Sequence, residues 1–74
     1  MASIFSTVLT DAERSAIYER ALKDAKKILF DRLIGHGVDP DSFDINAENN
    51  DYGVPAIAES IATVKLITAK IAEL

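Results

Sequence analysis

Cysteine is absent from the 74 residues, histidine occurs once, proline twice and glycine three times. Without cysteine the chain has no disulfide, no thiolate metal ligand and no cysteine nucleophile. The glycines fall as Gly35-His36-Gly37 and a separate Gly53, so there is no Gly-rich phosphate loop. No apolar run approaches the ~20 residues of a membrane span. The opening "MASIFSTVLTDAER" has no basic n-region and only a broken apolar run, so it does not read as a signal peptide. These absences predict a soluble protein without a membrane partner, and the lack of cysteine fits a reducing, cytoplasmic setting.

The machinery of catalysis is equally sparse. His36 stands alone between two glycines and can form neither a dyad nor a metal site without partners elsewhere. Ser3, Ser6, Ser15, Ser42 and Ser60 lack a nucleophile context such as G-x-S-x-G. The expectation is a non-enzymatic protein with no catalytic residue, no metal ligand and no cofactor.

Excess positive charge is missing too, since the formal net charge is −4. Asp39, Asp41, Asp44, Glu48 and Asp51 cluster in "GVDPDSFDINAENNDYGVP", leaving eight basic against seven acidic residues elsewhere. A nucleic-acid binder is normally basic over its domain, so direct nucleic-acid binding is not expected. The cluster does not follow the EF-hand pattern, which needs Gly at position 6 and Glu at position 12. Counting from Asp39 those positions are Asp44 and Asn50, and from Asp44 they are Asn49 and Pro55.

What the chain does have is helical periodicity. In "TDAER", Thr10 and Glu13 fit a capping box, and Asp11 suits the positive end of the helix dipole. From there to Ile34 no Gly or Pro intervenes, which predicts a helix over 11–34, about 36 Å long. Gly35 is suited to the left-handed residue that ends it. Tyr18, Ala21, Leu22, Ala25, Ile28, Leu29 and Leu33 make an apolar stripe at three- and four-residue spacing. On the other side Glu19–Lys23 and Lys27–Asp31 are paired at i,i+4.

A second helix is predicted over 55–74, with Pro55 at its first position, where its missing N–H costs nothing. Ile57, Ser60, Val64, Ile67, Ile71 and Leu74 form a heptad-like seam with Ile61 beside it. Ala58, Ala62, Ala69 and Ala72 make a second, small-sided line, and only Glu59, Lys65, Lys70 and Glu73 are charged. A helix apolar on most sides is normally buried on most sides, which one neighbour cannot achieve.

The predicted architecture is therefore all-α: one domain, 1–74, built as an antiparallel two-helix hairpin. An N-terminal arm over 1–10 precedes it. A packed acidic connector over 35–54, with short helical turns, joins the helices and is anchored by Val38, Phe43, Ile45, Tyr52 and Val54. Apolar burial in a chain this size contributes on the order of 105 kcal/mol. Ordering it costs about 110 kcal/mol, so a lone hairpin is marginal. Association into a homo-oligomeric bundle, with a dimer favoured, supplies the missing core, and the expected interface is Ile57, Ile61, Val64, Ile67, Ile71 and Leu74.

Three functional readings follow. The leading one is a small protein–protein interaction protein: a regulator, inhibitor or adaptor, or a small assembly component. A second is a small-ligand binder, in which an oligomer gathers Tyr18, Arg20, Lys23 and Lys27 around an anionic metabolite or nucleotide. Glu19, Asp24 and Asp31 lie among those cations, as on an ordinary solvated helix face. A third is an acidic decoy, in which Asp41, Asp44, Glu48 and Asp51 meet a basic surface on another, nucleic-acid-binding protein. Asp and Asn are also the residues that turns and caps prefer, so the cluster has a purely structural reading as well.

Overall fold

The computed structural model describes residues 9–74, which form two helices packed against each other and no strand. Helix α1 spans Asp11–Gly35 and helix α2 spans Pro55–Ala72. Of the N-terminal arm expected over 1–10, all but Leu9 and Thr10 lies outside the described residues.

The capping box forms as its sequence demands. Thr10 Oγ1 accepts from the Glu13 N–H at 3.1 Å, and Glu13 Oε1 accepts from the Thr10 N–H at 3.2 Å. Two otherwise unpaired backbone donors of the first turn are thereby satisfied.

At the other end the structure corrects the expectation. Gly35 is still helical, and Gly37 carries the left-handed conformation, with φ +77°. The Val38 N–H donates to the Leu33 carbonyl at 2.9 Å and the Gly37 N–H to the Ile34 carbonyl at 3.0 Å, the two bonds of a Schellman cap. The physical reason lies one residue further on. A Schellman cap places an apolar residue after its glycine, folded back on the last turn. Gly37 is followed by Val38, which packs against the core that contains Leu33, whereas Gly35 is followed by polar His36.

Helix α2 begins at Pro55 behind Val54, which supplies no side-chain cap. It ends two residues before the expected limit of 74, and Glu73 and Leu74 close it with bonds to Lys70 and Ile71.

The two helices share one small core. Ala25, Leu29 and Leu33 of α1 bury against Ile57, Ile61 and Val64 of α2, and Ile57 is completely inaccessible. Arg32 faces the turn from Ala56 to Ser60, both of which it bonds, while Ala21 and Ala25 share a groove with Ile67 further along. The helices therefore run antiparallel. Counting back equally from Arg32 and forward from the middle of that turn, Leu74 comes level with about Ala16. The first turn of α1 consequently extends past the end of α2, and Ile17, near that end, is half exposed.

Between the helices, residues 36–54 form a chain of hydrogen-bonded turns. Val38, Phe43, Ile45 and Val54 pack against the helical core from one side. Tyr52, expected among these anchors, instead points outward at 62% exposure.

Candidate interaction surfaces

The acidic connector owes its shape to three repeats of one local device. Asp39 Oδ1 accepts from the Asp41 N–H (3.0 Å), Asp44 Oδ1 from Asn46 N–H (2.9 Å), and Asp51 Oδ1 from Gly53 N–H (2.9 Å). Each is an Asx turn, in which a short carboxylate substitutes for a backbone carbonyl. Asn50 adds a tie, its Nδ2 donating to the carbonyls of Asp44 and Ile45 at 3.2 and 2.8 Å. Of the candidate acidic surface, Asp44 and Asp51 are thus also structural. Asp41 and Glu48 are exposed, and their side chains enter none of these bonds. Among the described residues, no three His, Asp or Glu side chains come together as a metal site would require.

The candidate anion site separates by face. Arg20, Lys23 and Lys27 share the solvated side of α1, where Lys27 sits 3.6 Å from Asp31 in an exposed i,i+4 pair. Tyr18 lies in register with Leu22, Ala25 and Leu29, so it belongs to the core-facing stripe and is half-buried. Within one chain these four residues do not converge.

The seam residues expected at an oligomer interface divide along α2. Ile57, Ile61 and Val64 are buried inside the hairpin by α1. Ile67 and Ile71 are half-buried, and Leu74 is 47% exposed.

Arg32, a further cation of α1, does not share the solvated face of Arg20, Lys23 and Lys27. It reaches across to α2, where Nη1 donates to the Ala56 carbonyl at 2.8 Å and to Ser60 Oγ at 2.7 Å. Ser60, a polar residue in an apolar seam, is buried because this guanidinium satisfies it. Glu59 stands 3.9 Å from the same Nη1 but is largely exposed, so it adds little. The signal was present in the sequence: Arg32 adjoins Leu33 and follows Ile28 by one turn, at the border of the apolar stripe.

The connector covers part of one side of the two-helix layer, leaving a groove of about 430 Å³ between Ile45 and Ala69, and the opposite side is open. There a groove of about 400 Å³ runs between the helices. Ala21, Ala25, Ile28 and Ile67 line it with carbon, while Asp24, Arg32, Glu59 and Thr63 bring polar groups to it. Ile28 is 49% exposed on its wall. Among the described residues, no helix is long and apolar enough to cross a membrane. Compared with protein-family models, characterised proteins and solved structures, this two-helix hairpin matches none.

Proposed function

We propose that the protein is a non-enzymatic interaction module that works as a helical homo-oligomer, a dimer in its simplest form. The observation that supports this most is the incomplete covering of the hairpin. The connector packs on one side, and the other is left with Ile28 half exposed over an apolar groove. Ile17, Phe30, Ile34, Leu66 and Leu74 are further large apolar side chains in contact with water. So much uncovered carbon on a small hairpin favours burial against another chain. In this reading the protein acts as a regulator, adaptor or small assembly component, and its connector stays available to a further partner. Size-exclusion chromatography with light scattering tests it. A dimeric or larger mass at micromolar concentration is expected, and a stable, cooperatively unfolding monomer overturns it.

A second reading is favoured by Asp41 and Glu48, exposed carboxylates that the connector's turn bonds do not use. They suit the acidic face of a module that docks on a basic protein surface, where charge speeds and orients encounter.

A further inference from the structure

The groove opposite the connector has a charge pattern that repeats under a two-fold rotation. On α1, Asp24, Ile28 and Arg32 follow at four-residue intervals, all three on the groove wall, with an anion and a cation on either side of an isoleucine. On α2, Glu59, Thr63 and Ile67 line the same groove. Lys70 follows Ile67 by three residues and Thr63 by seven, which puts it on that face at the far end from Glu59.

The register of the hairpin relates the two rows. Arg32 Nη1 bonds both the Ala56 carbonyl and Ser60 Oγ, so Arg32 faces the turn between them and Ile28 faces the turn from Ser60 to Val64. Ile28 is the midpoint between Asp24 and Arg32. The midpoint between Glu59 and Lys70 falls at Val64–Lys65, at the edge of that turn. One axis perpendicular to the helices therefore serves both rows to within about a turn.

We propose that a second copy of this chain occupies the groove, related by a two-fold axis at Ile28, so that two hairpins close into an antiparallel four-helix bundle. The proposal rests on the self-association put forward above and specifies its surface. Rotation about this axis sets Asp24 against Arg32 of the partner subunit and Glu59 against Lys70 of the partner subunit, each pair occurring twice. Ile28 meets its own copy at the centre, and Ala21 and Ile67 extend the apolar strip on either side. Such an isologous surface must be self-complementary, and this one is so in both charge and apolar character. Arg32 can serve both roles, because its inward bonds use Nη1 and a guanidinium carries donors on its other nitrogens.

An axis parallel to the helices also matches opposite charges, since Asp24 and Lys70 lie near one level and Arg32 and Glu59 near another. It would bring both connectors, with five carboxylates each, to the same end of the bundle. The perpendicular axis sends them to opposite ends, and like-charge repulsion selects it.

Because the chain has no cysteine, one introduced thiol reports its own position. Ile28→Cys is expected to form a disulfide-linked dimer nearly completely under mild oxidation at micromolar concentration. Leu66→Cys, on the outer face of α2 and 61% exposed, is expected not to. Ile28→Asp, at a half-exposed position, is expected to halve the mass measured by light scattering. If the unmodified protein is a dimer and Ile28→Cys does not cross-link, or Ile28→Asp stays dimeric, this surface is wrong although self-association stands. A mixture of Ile28→Cys and Thr63→Cys chains that yields only the mixed disulfide likewise overturns it, in favour of the parallel axis. A monomeric unmodified protein overturns both the surface and the self-association it rests on.

Discussion

Gly35 and Gly37 are two residues apart and have opposite needs. Gly35 is helical, and a methyl group added to it would meet no atom within 4 Å. Gly35→Ala should therefore stabilise the fold by about 0.5–1 kcal/mol, through helix propensity and a less disordered unfolded chain. Gly37 holds φ +77°, where a side chain is strained even in open space, so Gly37→Ala should cost about 1–2 kcal/mol. Urea denaturation of the two variants should show midpoints moving in opposite directions. Arg32 is the other residue with a specific duty. In a double-mutant cycle of Arg32→Met with Ser60→Ala, their charge-assisted bond should appear as a coupling of about 1–2 kcal/mol. The same cycle of Arg32→Met with Glu59→Gln should show a coupling of no more than about 0.3 kcal/mol, since that carboxylate is 3.9 Å away and largely in water.

At the scale of elements, the connector behaves as a third packed layer. Phe43 and Ile45 cover the core on one side, and the Asx turns fix the path between them. Asp44→Ala should cost about 0.5–1.5 kcal/mol by removing an acceptor, while Asp44→Asn keeps an oxygen in the same place and should be nearly neutral. Thermal melts of the two variants distinguish turn chemistry from charge. The same distinction makes the electrostatic reading testable. Changing Asp41, Asp44 and Asp51 to Asn and Glu48 to Gln removes charge while keeping the turn acceptors. If a basic partner docks there, its association rate should fall at least tenfold at low salt, with the melting temperature little changed. An unchanged, salt-sensitive rate would exclude the connector as the docking face.

For the whole molecule, the deciding quantity is carbon left uncovered. A hairpin whose core is Ala25, Leu29, Leu33, Ile57, Ile61 and Val64, with partly buried neighbours, has little margin against chain entropy. Stability drawn from a second chain makes unfolding concentration-dependent. Tenfold dilution removes about 1.4 kcal/mol per dimer, which lowers the melting temperature by roughly 4 °C. A melting temperature constant over a hundredfold dilution would mean that the chain folds without help. The ligand reading has its own thermal test. An anionic metabolite gathered by Arg20, Lys23 and Lys27 should raise the melting temperature at millimolar concentration. The position of Tyr18 on the opposite side of α1 argues for no shift.

Local chemistry determined most of what the sequence alone could settle. The capping box at Thr10, Pro55 at the start of α2, the period-3.6 stripe of α1 and the turn-forming Asp residues each act over a few neighbours, so spacing exposes them. The choice of Gly37 over Gly35 was just beyond reach, because it depends on Val38 finding the core. Tertiary structure decided which apolar residues the hairpin consumes. Ile57, Ile61 and Val64 share a seam with Leu74, and periodicity does not distinguish the part of α2 that meets α1 from the part at its end. It also decided where Arg32 and Tyr18 belong, since a side chain at the edge of a stripe takes its role from the facing helix. The open groove follows from the same cause: the connector lies on one side of the layer, and only three-dimensional packing selects that side.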